Sequence, residues 1–245
     1  MPERICIIGL PRSGSSYLAA LIESSSDGKT TDLLEPFTEA FPSSISLKED
    51  QLILNQLIPF QSVENSLETL TKGDVNQSVV FRIFPYDYIA DEFTDLIDAI
   101  KKLNFKFLVI KRRNITHHMI SYGVALATDV WDTNNPNYKK IENSDDKVVI
   151  TNFSNLQWLI EKIYGLDDFL ESLDINYDVI YYEDIAEELP KYLGHPINDS
   201  KITLKKQSTD DPYNQIKNYQ LTKLIIDWLM KQKPKLKSYQ YKETQ

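Results

Sequence analysis

The feature that most constrains this fold is a set of short apolar runs, rich in β-branched residues, that alternate with helical patterns. The first run is Ile5-Cys6-Ile7-Ile8, which ends at Gly9 and precedes apolar residues at helical spacing from Ser15 to Glu23. A run without polar alternation is typical of a strand buried on both faces, and such strands favour parallel sheets. The alternation therefore predicts an α/β fold, in which a parallel β-sheet is flanked by helices on both faces. Further strands are predicted at 31–34, 78–84, 105–110 and 177–182, and further helices at 47–72, 88–102, 115–127, 153–173, 183–194 and 219–231.

The domain organisation follows from the length and from the lack of a boundary signal. The 245 residues suffice for one large α/β domain, and no internal repeat or low-complexity block divides them. We therefore predict a single domain over residues 1–245. Residues 128–151 contain Asn, Asp, Pro and Lys with little periodicity, so they are predicted to form a mobile loop. The Lys-rich segment 232–245 is predicted to be a flexible tail.

Charge and composition disfavour several classes of partner. The net charge of −9 argues against a general nucleic-acid binder, which needs a basic face. No apolar stretch approaches the roughly 20 residues of a membrane span, and the N-terminal run lacks the features of a secretion signal, so a cytoplasmic location without a membrane partner is expected. One cysteine and three histidines disfavour a soft-ligand metal cluster, and no metal is expected. The sequence gives no indication of an oligomeric state.

The turn after the first strand concentrates residue types that bind anions. In an open α/β sheet, ligands bind outside the carboxyl ends of the strands. Glycines let the backbone amides of such a turn point inward, and the following helix adds its N-terminal N–H groups. Arg12 supplies positive charge and three serines supply hydroxyl donors. This turn is predicted to bind an anion, with an ordinary strand-to-helix turn as the alternative; it reads Gly9-Leu10-Pro11-Arg12-Ser13-Gly14-Ser15-Ser16.

The same turn partly matches the phosphate-binding loop of nucleoside triphosphatases. Gly9 and Gly14 have the spacing of that loop, and Ser16 occupies its Ser/Thr position. Ser15 stands where the loop has its lysine. Without that lysine the usual contact with the β- and γ-phosphates of ATP is missing, which disfavours an ATPase or a kinase.

The hexapeptide Pro11-Arg12-Ser13-Gly14-Ser15-Ser16 resembles the 5′-phosphosulfate loop of sulfotransferases. Those enzymes use 3′-phosphoadenosine 5′-phosphosulfate (PAPS), release 3′-phosphoadenosine 5′-phosphate (PAP), and share the architecture of P-loop nucleoside kinases. The resemblance implies a P-loop nucleoside-triphosphate-hydrolase-like fold. It also implies that the six residues of the hexapeptide contact the nucleotide.

A second sulfotransferase signature is an arginine after a strand and a serine eight residues later, which together hold the 3′-phosphate. Arg113 and Ser121 have this spacing, and a guanidinium at a strand end suits a phosphate. Ile115 stands where the family usually has proline. Lys111 and Arg112 are alternatives to Arg113, as is a solvated basic patch. Weaker resemblances are Tyr182-Glu183-Asp184-Ile185, which reads as a scaffold segment, and Lys206, which the family pattern suggests as a phosphate contact.

The resemblance also suggests a general base and a sulfuryl contact. Many small-molecule sulfotransferases use a histidine after the strand at 78–84, but Phe84-Pro85-Tyr86 offers none. Tyrosylprotein and some bacterial carbohydrate sulfotransferases use a glutamate after the second strand. Glu35 matches that position and Glu39 is the alternative. Arg82 interrupts an apolar strand, and two roles are open for it: contact with the sulfuryl oxygens, which the resemblance suggests, or a structural salt bridge.

The resulting hypothesis is a sulfotransferase that moves a sulfuryl group from PAPS to an acceptor hydroxyl by in-line transfer. Its catalytic candidates are Glu35, Arg82 and Arg12. The alternatives are an ATP-dependent small-molecule kinase on the same fold and a catalytically inactive nucleotide-binding module. The acceptor is expected to be a small molecule or carbohydrate, contacted by residues in 36–60 and 128–151, with Phe37, Trp131 and Tyr138 as possible stacking surfaces.

Overall fold

A computed structural model describes residues 3–26, 30–33, 35, 78–85, 90–131, 147–197, 214 and 216–232. The chain divides into two compact units, Met1–Arg113 with Ile175–Lys205, and Asn114–Asp174 with Lys206–Gln245. The predicted helix at 47–72, most of the predicted loop at 128–151 and the tail after residue 232 lie outside the described residues. The single domain predicted over 1–245 stays a prediction.

The first unit contains a parallel sheet, as the sequence predicted. Its five strands lie in the order β2-β3-β1-β4-β5, and every neighbouring pair is parallel. The predicted α/β class is therefore confirmed. The strands are β1 (Arg4–Ile8), β2 (Thr30–Asp32), β3 (Ser78–Ile83), β4 (Lys106–Lys111) and β5 (Tyr177–Tyr181).

Six helices occur among the described residues. Three belong to the first unit: α1 (Ser15–Ser25), α2 (Ala90–Lys102) and α5 (Ile185–Leu193). The other three belong to the second unit: α3 (Ile115–Thr128), α4 (Phe153–Ser172) and α6 (Tyr219–Lys231). A short 3-10 turn, Tyr182–Asp184, joins β5 to α5. No helix in the described ranges has both the length and the apolar content to cross a membrane.

Both faces of the three inner strands, β3, β1 and β4, are buried along most of their length, which explains the apolar runs. Successive side chains of a strand point to opposite faces. One face packs against α1 and α5, and its core includes Ile5 and Ile7. The neighbouring residues Cys6 and Ile8, which point to the other face, are also fully buried. The end of α2 lies beside that second face, where Arg4 Nη1 donates to the carbonyl of Leu103 at 3.1 Å.

The end of β1 lies at the point where the order of the strands reverses. From β1 the chain adds β2 and β3 on one side, then crosses to β4 and β5 on the other. The point where the order reverses is where open α/β sheets bind their ligands, outside the carboxyl ends of the strands. The loop that begins at Gly9 leaves β1 at this point.

The second unit is built on α3, α4 and α6. The side chain of Asn114 caps α3 by accepting from the amide of His117 at 3.0 Å, as short polar side chains at an N-cap commonly do. Asn218 binds both backbone groups of Ile150: its Oδ1 accepts from the amide at 3.0 Å and its Nδ2 donates to the carbonyl at 2.7 Å. This pair joins the start of α6 to the segment that precedes α4.

Candidate functional site

The loop after β1 opens with a tight turn at Leu10-Pro11-Arg12-Ser13. The Ser13 amide donates to the carbonyl of Leu10 at 3.0 Å, and Arg12 has a φ of 64°. Pro at the second position and a positive φ at the third are the pattern of a type II turn. Because Arg12 is not glycine, its left-handed conformation costs roughly 1–2 kcal/mol. Such strain is concentrated at ligand-binding segments.

Ser13 faces the interior of this loop. Its side chain is 1% exposed, and Ser13 Oγ makes no hydrogen bond within the part of the chain that the structure describes. A Cβ on Gly9 would lie 2.7 Å from Ser13 Oγ and 3.0 Å from Ile110 Cγ2. Glycine at position 9 therefore leaves room for the hydroxyl beside β4. A buried hydroxyl without a partner is costly, and it marks a place that an acceptor oxygen can fill.

Gly14 is the N-cap residue of α1, with a φ of 104°, and no side chain caps the helix there. The first amides of a helix have no partner within it, and they attract anions. A Cβ on Gly14 would lie 2.3 Å from Tyr182 Cδ2. The Tyr182 ring, which follows β5, therefore packs directly on the backbone of the loop. The edge of the Tyr17 ring also faces Tyr182, with the ring centroids 6.4 Å apart.

Arg112 stacks on the same tyrosine. Its guanidinium carbon lies 4.2 Å from the centroid of the Tyr182 ring, a cation–π contact. Arg112 Nε is buried and has no hydrogen-bond partner among the described residues. Burial lowers the pKa of Arg112, while the negative potential of Tyr182 and Glu183 acts in the opposite direction.

Arg113, the residue predicted to hold a 3′-phosphate, is bound to acidic groups. Its Nε and Nη2 donate to Asp184 Oδ2 at 2.9 and 2.6 Å, and its amide donates to Glu183 Oε2 at 3.0 Å. The hydrogen bond to Asp184 is the largest cause that raises the pKa of Arg113. Its guanidinium carbon also lies 3.9 Å from the centroid of the Tyr181 ring. The consecutive arginines thus contact different tyrosines.

Arg82 lies near the end of β3 between two carboxylates. Its Nη2 is 3.8 Å from Asp32 Oδ2 and its Nη1 is 3.8 Å from Glu35 Oε1. The side chain of Arg82 is 5% exposed, and those of Asp32 and Glu35 are 10% and 15% exposed. A buried guanidinium needs such compensation. These ion pairs are the structural role that the sequence suggested for Arg82. Asp32 is a partner that the sequence did not indicate.

The loop and these charged groups lie along one edge of the first unit. Arg82 is paired with Ile7 in the register between β3 and β1, so it points to the sheet face that α1 covers. Arg112 follows Ile110, whose side chain is in the core of that face. Along this edge, the carboxylates of Asp32 and Glu35 lie at the end of β2 and the buried guanidinium of Arg82 lies at the end of β3. The loop follows β1, and Arg112 follows β4.

The remaining candidate residues are placed as follows. Ser121 lies on α3 in the second unit and is partly buried. Trp131 also belongs to that unit, where its ring meets the edge of Tyr122 at a centroid distance of 6.0 Å. Glu39, Lys206, Phe37 and Tyr138 lie outside the described residues. Within the described ranges, no group of three or more His, Cys, Asp or Glu side chains could hold a metal ion.

Comparison with known proteins finds similar structures but no similar sequence. No protein-family profile matches the chain, and no curated protein matches its sequence. A crystal structure of mouse sulfotransferase SULT7A1 complexed with PAP aligns at 16% identity and a TM-score of 0.46, covering 97% of this chain and 88% of that one. A sulfotransferase domain from the curacin biosynthetic pathway aligns at 17% identity and a TM-score of 0.49, covering 98% and 92%. Both scores lie below 0.5, and the function proposed below rests on the residues of this chain.

Proposed function

We propose that this protein is a sulfotransferase that moves a sulfuryl group from PAPS to the hydroxyl of a small-molecule or carbohydrate acceptor. One observation carries the proposal: the buried Ser13 hydroxyl has no partner among the described residues, and it lies in an uncapped helix-start loop at the switch point of the sheet. This loop suits a phosphate or sulfate group. Its sequence, Pro11-Arg12-Ser13-Gly14-Ser15-Ser16, is the one that resembles the phosphosulfate loop.

The reaction that we propose needs little beyond positioning and charge stabilisation. A bond forms between the acceptor oxygen and sulfur, the bond between sulfur and the bridging phosphate oxygen breaks, and PAP leaves with that electron pair. Arg12 and the first amides of α1 would stabilise the negative charge that develops on the leaving oxygen. Arg113, Ser121 and Lys206 are our candidates for the 3′-phosphate.

Glu35 is the proposed acceptor of the hydroxyl proton. Its Oε1 is 3.8 Å from Arg82 Nη1, longer than a good hydrogen bond, so a small movement could bring an acceptor hydroxyl against the carboxylate. A carboxylate is a weak base, and it suits a proton that is transferred late, as the acceptor oxygen becomes acidic on bonding to sulfur. Arg82 would hold Glu35 in place and compensate its charge.

The decisive experiment combines ligand binding with turnover. The full chain is titrated with PAP and with ATP-Mg while its melting temperature is followed, and is then incubated with PAPS and a panel of sugars and phenols. We expect PAP alone to stabilise the fold, by about 2.7 kcal/mol at a concentration 100 times its Kd. We also expect acceptor-dependent release of PAP.

Each alternative predicts a different result. Stabilisation by ATP-Mg but not by PAP would favour a kinase and overturn the proposal. Stabilisation by PAP without release of PAP in the presence of any acceptor would favour an inactive nucleotide-binding module.

A further inference from the structure

Arg112 is a cation with a buried donor atom that no described residue satisfies. Its Nε is inaccessible to solvent and makes no hydrogen bond with any described residue. The contact that holds the side chain is the stacking on Tyr182, at 4.2 Å from guanidinium carbon to ring centroid. A ring face attracts the positive charge, but it does not satisfy an N–H donor that points in the plane of the guanidinium.

Tyr182 connects this cation to the loop. The same ring lies against the backbone of Gly14, close enough that a Cβ there would be 2.8 Å from Tyr182 Cε2. Burial raises the pKa of Tyr182, and the positive charges of Arg112 and, less strongly, of Arg12 in the loop oppose that effect. One part of the Tyr182 ring therefore contacts the loop, and another part contacts the Arg112 guanidinium.

We propose that Arg112 is a further anion-contacting residue of the loop, and that Tyr182 is the residue that positions it. The ligand would be the phosphate or sulfate group that receives hydrogen bonds from Ser13 Oγ and the first amides of α1. The inference rests on the proposed function for the identity of the nucleotide, but the anion site itself does not depend on it.

The contrast with Arg113 supports this assignment. Arg113 already donates two hydrogen bonds to Asp184 Oδ2, and its side chain is 59% exposed. Among the two arginines, Arg112 is the one with a buried donor that no described residue satisfies. Bound phosphate or sulfate would satisfy that donor and the Ser13 hydroxyl together, and would compensate the buried charge.

The test measures two probes, PAP and inorganic pyrophosphate, by calorimetry on the full chain. Arg112→Gln should weaken the binding of both probes ~10- to 100-fold, the value of a hydrogen bond from a charged donor. Arg112→Lys should fall between the wild type and Arg112→Gln, because lysine keeps the charge but not the planar stack. The matched control is Lys102→Gln, which removes one exposed positive charge at the end of α2. It should leave both affinities unchanged.

The positioning role of Tyr182 has its own pair of variants. Tyr182→Phe keeps the ring and should keep both affinities within about threefold, whereas Tyr182→Leu removes the face on which Arg112 stacks. In Tyr182→Leu we expect ~10-fold weaker binding and a smaller additional effect of Arg112→Gln in the double variant. Equal additional effects of Arg112→Gln with and without the Tyr182 ring would overturn the positioning role.

The two probes separate the inference from the proposed function. If pyrophosphate binds and depends on Arg112 while PAP does not bind, the inference stands and the sulfotransferase proposal fails. If PAP binds and releases product on transfer, yet Arg112→Gln binds both probes like the wild type, the proposed function stands and the inference is wrong. Absence of binding by either probe to the wild type contradicts both.

Discussion

Arg113 donates both its Nε and its Nη2 to the same oxygen of Asp184, at 2.9 and 2.6 Å. A phosphate at the end of β4 would have to share these donors or displace the carboxylate. The pair is largely exposed, with side-chain exposures of 59% and 32%, and such pairs contribute little to stability. If Arg113 binds a 3′-phosphate, as we propose, Asp184 would compete with that phosphate for the guanidinium.

Asp184→Asn should raise the affinity for PAP by ~3- to 10-fold if Arg113 binds the 3′-phosphate, because the amide competes less well for the guanidinium. The free energy of unfolding should change by less than about 1 kcal/mol. Calorimetric titration with PAP, and with adenosine 5′-phosphosulfate as a probe without the 3′-phosphate, provides the measurement. An equal increase in affinity for both probes would show that Arg113 does not bind the 3′-phosphate.

Glu35→Gln should lower kcat for sulfate transfer by ~100-fold or more, in the range expected for loss of a general base, with PAP affinity nearly unchanged. The matched variant is Asp32→Asn, which removes the other carboxylate beside Arg82. Both variants should lower the stability, since each deprives a buried guanidinium of a partner, but only Glu35→Gln should lose most of its kcat. Similar kcat values in the two variants would remove Glu35 from the role of base.

Arg82→Met should destabilise the fold by about 3–5 kcal/mol, because it removes the buried cation that lies between the carboxylates of Asp32 and Glu35. Urea denaturation at neutral pH measures the loss. Lys102→Met, at an exposed position of α2, serves as the control and should stay within about 0.5 kcal/mol of the wild type. A loss below about 1 kcal/mol for Arg82→Met would mean that the ion pairs contribute little to stability.

Gly14→Ala should destabilise the protein and abolish PAP binding. Alanine is strained at a φ of 104°, and its Cβ would lie 2.3 Å from the Tyr182 ring. Gly165→Ala is the matched control, because Gly165 lies within α4 and a Cβ there meets nothing within 4 Å. That change should stabilise the helix by about 0.5–1 kcal/mol. Retained PAP binding by Gly14→Ala would show that the close approach of Tyr182 is not required.

Tyr192 should make stability fall at alkaline pH. Burial, and then the charges of Asp178 and Glu3, raise the pKa of Tyr192, so its folded-state pKa exceeds the unfolded value of about 10. Below about pH 10 both the folded and the unfolded chain keep the Tyr192 proton, so the stability that this group contributes is complete. Above that pH the unfolded chain releases its proton first, so the free energy of unfolding falls. Because Tyr192 Oη is buried without a hydrogen bond in the described structure, Tyr192→Phe should be equally or more stable at pH 8. It should also lose less stability between pH 9 and 11, by urea denaturation; a loss as steep as that of the wild type would contradict the assignment.

The fold was accessible from the sequence because burial on both faces leaves a local signal. Ile5-Cys6-Ile7-Ile8 has no polar alternation, and that pattern alone indicates a strand inside a parallel sheet. Arg82 was also informative, since a charge in such a strand requires a partner. The choice of partners depended on the register between β2 and β3, so Asp32 could not be identified from spacing.

The roles of the consecutive arginines were harder to assign for the same reason. Lys111, Arg112 and Arg113 are equivalent in a pattern of charges, and only the path of the backbone after β4 places Arg112 on Tyr182 and Arg113 on Tyr181. The pairing of Arg113 with Asp184 joins residues 71 positions apart in the chain. No local pattern in the sequence predicts such a long-range contact.

The burial of Cys6 gives this protein an intrinsic reporter. It is the only cysteine in the chain, it is fully buried in the central strand, and burial raises the pKa of its thiol. A thiol reagent can therefore modify it only when the layer that covers this face of β1 opens, so the rate of labelling reports how often that face becomes exposed. The loop begins at Gly9, directly after β1, so a ligand bound to the loop should slow this labelling. Ligand occupancy could then be followed with the natural cysteine as the reporter.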